Sequence, residues 1–166
     1  MRRCLQMGLA VLLLSAGTAT AGPTLFELAG TWRGAGLLRD DVEKPMREGR
    51  CRLSAMPLAE GREVRLKGRC ATDRGSAEFS MRFVRFDGGA VAGGIATSLA
   101  PDSVQFVGRM DGGQVALHSR EPVEFDRLRG VSMIVLSIQD ESHFSLRQSL
   151  QTGGEVMDLM QMAFSR

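Results

Sequence analysis

The chain contains no asparagine and no tyrosine, and only one tryptophan and two histidines in 166 residues. Without asparagine there is no N-glycosylation acceptor. The scarcity of Trp and Tyr argues against a sugar site, which stacks its ligand on aromatic platforms, and against an outer-membrane barrel, which needs aromatic girdles and an outward apolar band. His118 and His143 stand alone, with no H-E-x-x-H pattern and no paired Cys/His spacing of a metal centre. No C-x-x-C pair is present for redox chemistry. Gly130-Val131-Ser132 lacks the second glycine of a nucleophile elbow. Gly34-Ala35-Gly36 is not followed by the third glycine of a dinucleotide loop, and no phosphate-binding Walker pattern occurs. Asp140, Ser142 and His143 share one turn, whereas the members of a catalytic triad converge through the fold. No catalytic residue is nominated, and the protein is expected not to be an enzyme.

A long apolar run is missing too. The longest, Leu5 to Leu14, is interrupted by Gln6 and Gly8 and falls short of the roughly 20 residues a membrane helix needs. Its setting is that of a secretory leader. Arg2 and Arg3 precede it, and small residues follow it up to Ala19-Thr20-Ala21, an A-x-A cleavage pattern. The expected division is a signal peptide over 1–21 and a single domain over 22–166, released to the periplasm or beyond. An uncleaved anchor and twin-arginine export are the competing readings of the same residues. Cys4 lies in the charged leader region, away from the cleavage point, which does not fit a lipoprotein. The full chain has a formal charge of +2, and Arg2 and Arg3 leave with the leader. The mature part is then close to neutral, with no net drive toward nucleic acid.

Two cysteines remain, Cys51 and Cys70. The residues between them form a hairpin pattern. Taking Glu60-Gly61 as the centre of the turn sets Cys51 opposite Cys70, Leu53 opposite Gly68, Ala55 opposite Leu66 and Pro57 opposite Val64. One face of the pair is then apolar and carries both sulfurs. The other carries Arg50, Arg52, Ser54, Arg65, Lys67 and Arg69 and is solvated. Directly opposed strand residues lie within disulfide range, so a Cys51–Cys70 bridge is expected in an oxidising compartment.

The same alternation runs through the rest of the chain. Acid-glycine clusters at Asp73-Arg74-Gly75, Asp87-Gly88-Gly89 and Asp111-Gly112-Gly113, with Thr152-Gly153-Gly154, punctuate runs of about ten residues with period-two patterning. Gly93-Gly94 reads as a bulge or sharp bend within a strand. Glu121 to Gly130 reads as a charged loop. About ten strands in simple succession point to an all-β fold, an antiparallel up-and-down barrel of about 8–10 strands, with a β-sandwich as the alternative.

The segment Phe26-Glu27-Leu28-Ala29-Gly30-Thr31-Trp32-Arg33-Gly34 resembles the opening of the calycin barrels, the lipocalins and avidins, whose first strand begins Gly-x-Trp. The resemblance implies that Trp32 closes one end of the barrel and packs against a late arginine, Arg147 or Arg166. No second lipocalin motif is evident, and ten strands exceed the family's usual eight. Ten-stranded haem-binding barrels and small envelope barrels are similar in outline.

An apolar interior lined by Trp32, Leu53, Leu66, Phe79, Met81, Phe83 and Phe106 suits a small hydrophobic molecule or lipid. The alternative is a non-enzymatic envelope interaction or structural module with a packed interior. A third reading is a haem barrel, for which His118 or His143 would serve as ligand. The primary expectation names no cofactor, no metal, no nucleic acid and no membrane-spanning segment, in a protein that acts as a monomer. The cluster Met157, Met160 and Met162 fills irregular apolar space.

Overall fold

The computed structural model describes residues 22–100 and 102–166. The expected leader 1–21, with its cleavage point after Ala21 and Cys4, lies outside the described residues. Eleven antiparallel strands follow in order: β1 Gly30–Leu38, β2 Arg47–Leu58, β3 Glu63–Thr72, β4 Gly75–Arg85, β5 Ala90–Thr97, β6 Val104–Asp111, β7 Gln114–Ser119, β8 Val123–Phe125, β9 Leu128–Ile138, β10 His143–Thr152 and β11 Glu155–Ser165. Each strand pairs with the next, except that β7 pairs with β9 and β8 forms a short flap on the start of β9. The β1–β11 and β9–β10 pairings complete the circle, so ten strands form a closed up-and-down barrel. Closure leaves no free edge in the barrel wall.

The period-two pattern determines which side chains face inward. On β2 and β3 the pairs Cys51↔Cys70, Leu53↔Gly68, Ala55↔Leu66 and Pro57↔Val64 form as the pattern requires. The connection is a four-residue loop rather than a two-residue turn. Ala59, Glu60 and Gly61 all take positive φ there, without altering the register. A disulfide joins Cys51 to Cys70, whose Cα atoms are 4.1 Å apart. A loop of this length closed by a disulfide contributes about 3 kcal/mol in the chain-entropy view. This bridge fits an exported protein. No helix among the described residues is long and apolar enough to cross a membrane.

Two expectations need correction. Gly93-Gly94 is not a bulge, because β5 pairs without interruption with both β4 and β6. Gly93 faces inward under the Phe83 ring, and a Cβ built there would lie 2.4 Å from Phe83 Cδ1. The glycine marks a close approach of ring to backbone. The real irregularity is in β10–β11, where the register shifts between Gln148 and Ser149. The expected loop 121–130 also holds a strand, β8, and β9 begins within it at Leu128.

The N-terminal segment closes one end. Thr24 donates its backbone N–H to the Glu27 carboxylate at 2.7 Å, nucleating a single 3-10 turn over Leu25–Glu27. That turn packs against β2 and β3, with Leu25 and Phe26 fully buried. The opposite end is covered only in part, by residues 39–46, the β8 flap and the β10–β11 hairpin.

Candidate functional site

The barrel interior is graded along its axis. At the closed end the Phe144 and Phe164 rings stack with centroids 4.6 Å apart, and Trp32 meets Phe144 edge-on at 5.0 Å. The Arg166 guanidinium lies 5.1 Å above the Trp32 ring, and Arg85 caps Phe26 at 5.6 Å. The late-arginine partner of the first-strand tryptophan is therefore Arg166. Arg147 projects outward instead, in a two-pronged pair with Asp158 at 2.8 and 2.9 Å. That pair, with Gln161, holds the Asp158 carboxyl below its ordinary value.

All seven nominated lining residues face inward. Trp32, Leu53, Leu66, Met81, Phe83 and Phe106 belong to one buried core cluster, and Phe79 packs against it half-buried. Inward glycines let the rings lie flat on the wall. A Cβ on Gly68 would sit 2.7 Å from Phe79 Cζ, and one on Gly34 2.5 Å from Phe164 Cε1. From the closed end to the middle the interior is filled by side chains.

Toward the other end the filling thins. Inward-facing Leu38, Phe79, Ile95, Val104 and Met160 are only partly buried, while Leu150 there is fully buried and Met110 at the closed end is half-buried. A polar cluster, unanticipated from the sequence, sits among them. Gln148 Nε2 donates to Ser132 Oγ at 3.0 Å, and the backbone N–H of Ser132 donates to Ser119 Oγ at 3.1 Å. Both serines are buried. Their inward placement follows the alternation of β7 and β9, but an isolated serine in an apolar strand gives no sign of which serine it will meet.

At the rim, a cleft of about 570 Å³ opens between residues 39–46, the β8–β9 turn and the β10–β11 hairpin. Apolar Val42, Met46, Leu128, Val156 and Met157 alternate with charged Arg39, Glu43, Arg127, Glu155 and Asp158 around it. Residues 39–46 form a strap over this rim. Arg39 Nε donates to the Asp158 carbonyl at 2.9 Å, and its Nη1 donates to the Lys44 carbonyl. Arg127 pairs with Glu43, raising the arginine pKa further. Lys44 in turn holds the Asp41 carboxyl below its ordinary value.

The chain matches no protein-family model and no curated protein. The barrel is consistent with a calycin-like fold on its own geometry: closed antiparallel strands, a first-strand tryptophan at the sealed end, and an arginine from the last strand's end upon it.

The histidines lie apart from the interior. His118 is exposed on the outer face of β7. His143 sits 3.0 Å from the Asp140 carboxylate in the β9–β10 turn, and Ser142 contributes its backbone N–H to the same carboxylate at 2.6 Å. Both contacts lower the Asp140 pKa, the Ser142 hydrogen bond most. Among the described residues no group of three or more His, Cys, Asp or Glu side chains could hold a metal ion.

Proposed function

We propose that this is an exported, lipocalin-like barrel that takes a small apolar molecule or a lipid chain through its partly open end. The observation that carries the reading is the asymmetry of the interior. One end is sealed by Leu25, Phe26 and the Trp32–Phe144–Phe164 stack, while Leu38, Phe79, Ile95, Val104 and Met160 remain accessible at the other. The filled lower half confines the ligand to the upper half. Trp32, Phe83 and Phe106 then form the floor, and Phe79 and Met81 the first contacts. The buried Ser119–Ser132–Gln148 cluster supplies hydrogen-bonding groups near a polar end of such a molecule. The outward charges of β2–β4 argue against insertion of the barrel wall in a bilayer.

Native mass spectrometry of the protein purified from its host's envelope tests this directly. The expected result is an adduct that leaves on denaturation and is lost in a Phe79→Glu variant that retains its fold. A bare mass across independent preparations overturns the reading and favours the interaction module, for which the filled interior is the supporting observation. A haem mass would redirect attention to His118 and His143.

A further inference from the structure

The outer wall of the barrel separates its charges unevenly. On β1–β3, Arg33 stands directly opposite Arg52, and Arg52 directly opposite Arg69. Arg50 and Lys67 flank this row on the same outward face, and all five side chains are exposed. Like charges opposed across strands destabilise a sheet. A row of three is therefore a cost the fold carries without a structural return.

The neighbouring cations are handled differently. Arg65 and Arg82 share one carboxylate, that of nearly buried Glu63, at 2.8 to 2.9 Å. Among the described residues no ion pair reaches Arg33, Arg50, Arg52 or Lys67. Arg69 meets only Glu78, at 3.4 Å and with both side chains well exposed, which neutralises little. Much of the acid that balances the chain lies in turns at the barrel ends, at Asp40, Asp41, Asp87, Asp140 and Glu141. The chain is thus near neutral as a whole and strongly cationic on one face.

We propose that this face docks on a lipid surface bearing anionic phosphate headgroups. The cations form a two-dimensional array, about 4.8 Å apart between strands and about 7 Å apart along them. Such an array matches a layer of phosphates better than a single linear chain of them. Arginine's fork suits phosphate oxygens. Met56, on the same outward face of β2, is 57% exposed and supplies an apolar tip for the headgroup boundary. The outward positions of β1–β4 carry no aromatic side chain, so the stacking platform that single-stranded nucleic acid requires is missing there. This docking does not depend on whether the barrel holds a ligand.

Co-sedimentation of the mature protein with vesicles tests it. Binding is expected to phosphatidylcholine vesicles containing phosphatidylglycerol, and not to phosphatidylcholine alone, and it should weaken as salt is raised. A cation near an anionic surface is worth enough that Arg52→Gln should lower the partition coefficient about fivefold, and Arg33→Gln, Arg52→Gln and Lys67→Gln together about a hundredfold. These substitutions relieve repulsion, so the melting temperature should hold or rise, which separates lost binding from lost fold. Unchanged partitioning of a folded triple variant overturns the proposal, as does binding that ignores lipid charge. Tight binding of heparin without binding to the anionic vesicles also overturns it, in favour of an anionic polymer.

Discussion

The two ends of the barrel are built from the same strands and do different work. At the closed end, Leu25, Phe26, Trp32, Phe144 and Phe164 are almost wholly removed from water. They are locked by ring stacking and by two arginines laid over aromatic faces. Ring contacts of this kind add about 0.5–1.5 kcal/mol each beyond their buried area. At the other end Leu38, Phe79, Ile95, Val104 and Met160 are only partly buried beside buried Leu150, and the covering strap is held by hydrogen bonds to backbone carbonyls and by surface ion pairs. Exposed pairs contribute at most about 1 kcal/mol. The closed end is held by aromatic packing, and the other end relies on the Cys51–Cys70 bridge and on polar contacts of the strap.

The largest break in this contrast comes from the closed end. Trp32→Ala is expected to destabilise by about 3–5 kcal/mol, read as a shift in the urea midpoint. Met157→Ala at the rim should cost about 1 kcal/mol or less. Equal losses would abolish the distinction between the two ends. Trp32→Phe should be tolerated better than its lost volume suggests, because the buried indole N–H has no hydrogen-bond partner among the described residues.

A pair of adjacent glycines sharpens the comparison between the packed interior and the outer wall. Gly93→Ala forces a methyl between the Phe83 ring and the Arg82 carbonyl, and overpacking of this kind costs about 1–3 kcal/mol. Gly94→Ala points outward and meets only the Gln105 side-chain amide, at 3.1 Å, which can move aside. It should be neutral, or stabilising by up to about 1 kcal/mol through reduced chain entropy in the unfolded state. Thermal melts should show a lowered midpoint for Gly93→Ala and an unchanged or raised one for Gly94→Ala.

The smallest effect is a pH dependence from the outer wall. Hydrogen bonding from Arg82, reinforced by Arg65, holds the Glu63 carboxyl below its ordinary value of 4.5. A carboxylate depressed in the folded state contributes stability that is fully present above its unfolded value. That contribution is lost as pH falls through the depressed folded value. Melting temperatures measured downward from neutral pH should therefore drop in the acid range, and less steeply in Glu63→Gln. Parallel slopes in the two proteins would remove Glu63 as a source of the acid sensitivity.

Much of the wall was legible in the sequence because period-two alternation is a local property. The β2–β3 register, the Cys51–Cys70 bridge and the inward set from Leu53 to Phe106 all follow from it. Positions that depend on a distant partner were not legible. Gly93 is shaped by Phe83 on the neighbouring strand, which no window around Gly93 reveals. The β10–β11 register shift and the Ser119–Ser132–Gln148 cluster bring together residues from separate strands. The strap over 39–46 takes its course from Asp158 and Arg127, more than eighty residues away. The Gly-x-Trp opening could say that Trp32 meets an arginine, but choosing Arg166 over Arg147 required knowing which of the two points inward.

The seam between β1 and β11 has a kinetic consequence. Arg33 pairs with Ser165 across almost all of the described residues, whereas the disulfide hairpin closes within 19 residues. The hairpin can form early and on its own terms, since local contacts are made fastest. The seam must wait for the last strand, and until it closes β1 presents an unpaired edge. Assembly therefore proceeds from an early local nucleus to a late global latch. The interval between the two is when the chain is most exposed to pairing with a neighbour instead of with itself.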